Sequence, residues 1–154
     1  MSKKSEIVGT CDVVAARIKI SAALELRVLA QRFQGNCHVH IREFALTNDN
    51  EFVATPKGVN MLADKLEQTL DAVRELRDAG DKEGVVATIL AGNGRAIRFA
   101  ITKWQGTIKA DIRLHFSRDR SEELVPTRKG IRINLGLLPE LERALEALER
   151  ALFG

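Results

Sequence analysis

Two aromatic residues in this chain stand before the same dipeptide: Phe33 before Gln34-Gly35, and Trp104 before Gln105-Gly106. Each is followed at the same interval by an Ile-Arg pair, Ile41-Arg42 and Ile112-Arg113. A ring that faces solvent offers a surface on which a planar group can stack, and a nearby arginine neutralises an anion. Arg27 and Arg98 fall on the same alternating face as the two aromatics. The residues alone leave a second reading open, in which both rings are core aromatics at hairpin ends. Arg42 and Arg113 have an alternative of the same kind, an ion pair with a neighbouring carboxylate. Asp111 lies two residues before Arg113 on its face.

Other chemistries find less support. Cys37, His38 and His40 are metal-ligating types, but Cys37 alternates to the face opposite the two histidines. The second copy carries Ile108, Lys109 and Asp111 at the equivalent places, so no metal site is expected. No Ser-His-Asp set, phosphate-binding loop or pair of carboxylates in a cleft is legible, and Gly92-Asn93-Gly94 reads as a turn between strands. The expectation is a protein without catalytic residues and without a cofactor. Cys11 and Cys37 do not form the framework of a small secreted domain, and are expected to be two free, partly buried thiols.

The bulk numbers agree. A chain of 154 residues, 45% hydrophobic and 29% charged, is one ordinary soluble domain or two very small ones. No apolar run approaches the roughly 18 residues of a membrane span. Lys3 and Lys4 have no apolar segment behind them, so export is not expected and a reducing compartment is. The net charge of +3 is unevenly placed. Residues 79–138 hold eleven Lys/Arg against six Asp/Glu, whereas 60–78 hold three against five and 139–154 two against four. The positive excess sits in segments that read as strands, which suggests an anionic partner beside the blander reading of a solvated mixed surface.

The elements that must position these residues come as a tandem repeat. "VVAARI" from Val13 matches "VVATIL" from Val85, "LELRVLAQRF" from Leu24 matches "RAIRFAITKW" from Arg95, and "ATPKGVNM" from Ala54 matches "PTRKGIRI" from Pro126. From the second of these pairs to the third the offset grows from 71 to 72, a one-residue insertion placed in the hairpin where "TNDN" (47–50) has "SRDRSE" (117–122) as its counterpart. Period-two alternation predicts strands: Val28 and Ala30 against Arg27, Leu29 and Phe33; Cys37, Val39 and Ile41 against His38, His40 and Arg42; Ile108, Ala110, Ile112 and Leu114 against Lys109, Asp111, Arg113 and His115. The Gln-Gly pairs predict tight turns. Helical spacing then takes over at Leu62, Leu66, Leu70 and Val73, and at Leu138, Leu141, Leu145, Leu148 and Leu152. Asn60 is expected to cap the first helix; for the second, Asn134 could cap a turn or Pro139 occupy the first helical position. The fold class is α+β: two ββββα units, 1–78 and 85–154, joined by a linker at 79–84. A unit of this size makes a marginal core, so the two are expected to pack on each other.

The ordered set of an aromatic-x-Gly hairpin, an Ile-Arg strand ending in an aromatic, a Thr-x-Lys-Gly-aliphatic strand and a closing helix resembles the positive-cofactor-four family of transcriptional coactivators. It is fullest in "WQGTIKADIRLHF" and "LVPTRKGIRI" of the second unit. The resemblance implies a curved four-stranded antiparallel sheet with one helix, paired here as an intramolecular pseudo-dimer. It also implies binding of single-stranded DNA, with weak sequence selectivity, by a transcriptional coactivator or a replication or repair accessory factor. RNA binding, or a protein-interaction scaffold that keeps the fold, is the alternative. Phe33 and Trp104 match the stacking aromatic, Arg42 and Arg113 the Ile-Arg arginine, Lys57 and Lys129 the Lys-Gly lysine, Arg128 the basic residue before it, and Phe116 a second stacking aromatic. Arg27, Arg98 and Lys109 complete the expected nucleic-acid surface. Phe116 alternates away from Arg113, so both can touch one ligand only if the strand bends or bulges near its end. Ala45 replaces Phe116 in the first unit and Pro56 replaces Arg128, so the second unit is expected to bind more strongly. Without the Ser-rich acidic tail of some nuclear members, a bacterial cytoplasmic, nucleoid-associated protein is expected, nuclear if the source is eukaryotic. Further association between chains is left open.

Overall fold

The computed structural model describes residues 6–118 and 123–154. The N-terminal lysines and part of the expected connection at 117–122 lie outside them. The first unit runs β1 (Val13–Lys19), β2 (Leu24–Phe33), β3 (Asn36–Leu46), β4 (Phe52–Leu62) and α1 (Leu66–Ala79). The second repeats it as β5 (Gly84–Gly92), β6 (Arg95–Trp104), β7 (Thr107–Ser117), β8 (Leu124–Asn134) and α2 (Leu138–Phe153). Each sheet is antiparallel with its strands in chain order.

The alternation read from the sequence holds. Val28, Ala30, Cys37, Val39 and Ile41 are buried, as are Phe99, Ile101, Ala110 and Ile112. Gln34 and Gly35 have φ of 51° and 81°, and Gln105 and Gly106 have 50° and 79°. Positive φ at both central residues gives a two-residue turn whose twist matches the flanking strands. The β7–β8 connection is one residue longer than the β3–β4 connection, where the insertion was expected.

The helices exchange sheets. α1 packs against β5 and β6 of the second sheet, and α2 against β1 and β2 of the first. The two helices also pack on each other, and β4 lies beside β8, so one continuous core spans both units. Leu26 and Ile41 of the first sheet, Phe99 and Ile112 of the second, and Leu66, Leu76, Leu141 and Leu148 of the helices are fully buried in it. Each such side chain contributes about 2 kcal/mol by leaving water, which neither small sheet could collect alone. Arg74 of α1 reaches Glu142 and Glu146 of α2 at 3.2 and 2.9 Å, linking the helices across the units.

Three expectations are corrected. Asn60 caps no helix: it lies within β4, and a 3-10 turn at Ala63–Lys65 leads into α1 with no side-chain cap. Leu62 ends β4 and is exposed, because the chain has not yet turned toward the core. Pro139, by contrast, takes a first-turn position of α2. Finally, Cys11 and Cys37 are not free thiols but a disulfide, with Cα atoms 5.8 Å apart. The segment before β1 continues alongside β2, where Asp12 accepts a hydrogen bond from the Arg32 amide. That brings Cys11 onto the buried face that Cys37 already shares.

Candidate nucleic-acid interface

The helices cover one face of each sheet, which leaves the opposite face to carry the alternating polar residues. In the second unit that face holds Trp104, Arg98, Lys109, Asp111 and Arg113. The pairing of β7 with β8 shifts between Arg113 and His115: Arg113 lies opposite Gly130, and His115 opposite Pro126. Thr127, Arg128 and Lys129 therefore bulge out of β8. Thr127 Oγ1 stabilises the bulge by donating to the Leu114 carbonyl at 2.8 Å and accepting from the Lys129 amide at 3.1 Å. β4 repeats it, with Thr55 donating to the Glu43 carbonyl and accepting from the Lys57 amide. Arg113 and Arg42 bridge the bulges, donating to the Thr127 and Thr55 carbonyls at 3.0 and 2.9 Å. The glycine in each Lys-Gly pair is required by this closeness. A Cβ on Gly58 would sit 2.9 Å from Arg42 Cα, and one on Gly130 would sit 2.8 Å from the Ile112 carbonyl oxygen.

Around Trp104 this geometry forms a groove of about 570 Å³. It brings together Trp104, Lys109, Arg113 and Arg128 of the second unit with Lys57 of the first. The indole is 46% exposed. Arg132 lies over one face of the ring at 4.1 Å, and alternation along β8 (Arg128, Gly130, Arg132) was the sequence pattern that could have found it. Asp111, only 7% exposed, accepts from Arg113 Nε at 3.0 Å and Nη2 at 3.2 Å and from Arg132 Nε at 3.2 Å. The ion pair weighed as an alternative for Arg113 is thus present, and it positions a second arginine on the indole. Lys109 is tied to the Asn134 side chain.

The lysines cross over. Lys57 of the first unit lines the groove of the second, and Lys129 of the second lines a cavity of about 460 Å³ on the first. That cavity also holds Arg42 and His38 but neither Phe33 nor Trp104. Phe33 is 60% exposed at the end of β2, with its ring edge-on to His38 at 6.1 Å. Phe116 does not join Trp104. The β6–β7 pairing stays regular from Arg98↔Arg113 to Arg95↔Phe116, and the bulge lies on β8, so Phe116 remains on the opposite face from Arg113.

The two units place their buried carboxylates differently. In the first, Glu25 on β2 accepts from Arg17 Nε at 2.7 Å and Arg27 Nε at 2.5 Å. The Arg17 hydrogen bond, with Arg27 adding to it, holds the Glu25 carboxyl below the usual range. Arg27 also lies 4.2 Å above the Phe44 ring. In the second unit Ala96 occupies the Glu25 position, and Arg98 Nε is buried with no hydrogen-bond partner among the described residues. Conversely, the first unit has His40 where the second has Asp111. Burial, with Arg42 and His38 adding their charge, pushes His40 down to about 4. Among the described residues, no three His, Cys, Asp or Glu side chains are grouped to hold a metal, and no helix is long and apolar enough to cross a membrane.

The family model described as Transcriptional Coactivator p15 (PC4) matches residues 92–144, from the end of β5 into α2. The match falls within the unit that holds Trp104. The chain thus resembles the family of transcriptional coactivators that its motifs pointed to. Two crystal forms of BPSL1147, a PC4 homolog from Burkholderia pseudomallei K96243, are among the similar solved structures. One is 22% identical, with a TM-score of 0.39, over 41% of this chain and 85% of that chain. The other is 29% identical, with a TM-score of 0.38, over 42% and 94%. A comparison with curated proteins gives no match.

Proposed function

We propose, from the resemblance of the second unit to this coactivator family, that the protein binds single-stranded DNA in the Trp104 groove, with weak sequence selectivity. The observation that carries the reading is a half-exposed indole ringed by Lys57, Lys109, Arg113 and Arg128. A base stacks on the open face of Trp104, a contact worth about 1–3 kcal/mol. Arg132 backs the other face. The lysines and arginines meet the phosphates on either side, and the crossing of Lys57 means that one strand touches both units. Stacking accepts any base and phosphate contacts carry no sequence information, which is why selectivity is weak. The role is that of a coactivator or a replication or repair accessory factor acting on opened duplex.

The test is a fluorescence titration of Trp104, the only tryptophan, with an unstructured oligonucleotide and with duplex of the same length. Quenching by the single strand at low salt, with much weaker quenching by duplex, is expected. The log–log salt slope should be about −0.7 per phosphate contacted. No quenching by the single strand, or equal quenching by both, sinks the reading. Matched RNA in the same titration reports on the sugar.

A further inference from the structure

The cavity on the first unit is equivalent by the repeat to the Trp104 groove, yet it is built for a different ligand. One wall is the outer side of β3 and β4; the other is the β5–β6 hairpin of the second unit. Its cationic groups are Arg42 and Lys65 from the first unit and Arg95 and Lys129 from the second, with His38 beside them. Among the described residues lining it there is no carboxylate. Arg42 is partly buried, donates to the Thr55 carbonyl, and pairs with no carboxylate among the described residues.

Apart from the Asn60 amide, the rest of the lining is apolar. Val59, Met61 and Leu62 form one side, and Ile89, Leu90 and Ile97 the other. No phenyl or indole ring lines the cavity, since Phe33 stands outside it, and the ring it does hold is the His38 imidazole, set edge-on to Phe33. A nucleobase has no phenyl or indole face to stack on here, and a bare phosphate gains nothing from apolar walls. Both halves of the lining are satisfied by an anion joined to an apolar body, and about 460 Å³ is within the size range of small-molecule sites.

We propose that this cavity binds a carboxylic acid with an apolar chain, the carboxylate on Arg42 and Lys129 and the chain between Leu62 and Leu90. The inference goes beyond the nucleic-acid reading, because its ligand is a small amphiphile and its apolar contacts lie outside the Trp104 groove. Charge and chain both contribute: the guanidinium and ammonium supply the counter-charge that the cavity otherwise lacks, and each methylene buried raises affinity roughly fourfold.

Calorimetric titration of the full chain with decanoate, below its micellar concentration, tests this. Saturable binding of one molecule per chain is expected, stepping up from hexanoate through octanoate, with no binding of decanol. Arg42→Gln should weaken it at least tenfold. Leu90→Glu should do the same by repelling the carboxylate, and because Leu90 is 70% exposed the fold will tolerate the change. The proposal is overturned by an absence of saturable heat, by equal binding of decanol, or by binding that either variant leaves unchanged. It is also overturned if Leu90→Glu weakens oligonucleotide quenching of Trp104 tenfold, since the cavity would then be an arm of the nucleic-acid groove. Decanoate binding without oligonucleotide binding removes only the function proposed above, and the reverse removes only this inference.

Discussion

The two units share a backbone and divide the chemistry. Each bulges its fourth strand over a glycine and holds an arginine against it, yet only the second surrounds an exposed indole with cations. Their carboxylates stand at different places on equivalent faces: Glu25, near the start of β2, quiets Arg17 and Arg27 in the first unit, and Asp111, midway along β7, organises Arg113 and Arg132 in the second. The two surfaces thus differ in where the buried carboxylate stands and in whether the exposed ring lies in the groove. The remaining cations differ accordingly: among the described residues Arg42 meets the Thr55 carbonyl and no carboxylate in the first, and Arg98 Nε is buried without a hydrogen-bond partner in the second.

The largest effect that would sharpen this contrast concerns His40, which has Asp111 as its counterpart. A histidine held near 4 when folded and near 6.5 when unfolded takes up its proton more readily in the unfolded chain. Its contribution is therefore complete above about pH 6.5 and is lost as pH falls toward 4. Because His40 is only partly buried and solvent screens part of this, His40→Gln should remove up to about 2 kcal/mol of the acid loss in that window, measured by denaturant melts at pH 7 and pH 4. Equal pH dependence in the variant and the parent would break the contrast at this position. Next in size is the ring. Trp104→Ala should weaken single-strand binding by about 2 kcal/mol, roughly thirtyfold, whereas Phe33→Ala should change it less than about threefold. Anisotropy with a labelled oligonucleotide measures both, and equal losses would make the units equal partners. The smallest effect is electrostatic. Glu25→Gln releases Arg17 and Arg27 to the solvent face, so the salt slope should steepen by about 0.7 for each phosphate newly engaged. An unchanged slope would show that the first face takes no part.

Much of this molecule was legible because its rules are local. Alternation marked the buried side of β2, β3, β6 and β7, and the Gln-Gly pairs marked the turns, since two positive φ values in succession leave few other choices. What could not be read depended on distant segments. Nothing in the apolar spacing of Leu66, Leu70 and Val73 tells a helix which of two sheets it will cover. The crossing of Lys57 and Lys129 follows from how β4 and β8 meet, which no single repeat encodes. Cys11 and Cys37 were judged by composition, but their proximity arises from a segment that continues beside β2 past the expected strand. Asn60 was a reasonable cap by type and was overruled because β4 runs on through it. Phe116 failed to join the groove for a reason visible in advance: alternation set it on the other side, and the bulge that would have rescued it formed in the neighbouring strand.

The exchanged helices impose an order in time. As the chain leaves the ribosome, the first sheet is complete long before α2 exists, and α2 is the helix that covers β1 and β2. Leu26, Val28 and Ile18 must wait for α2 to be made before they are shielded. Contacts spanning more than a hundred residues slow folding, and an uncovered apolar sheet is a target for chaperones and for aggregation. A ribosome stalled within β8 would therefore hold a nascent chain with a finished sheet and no roof.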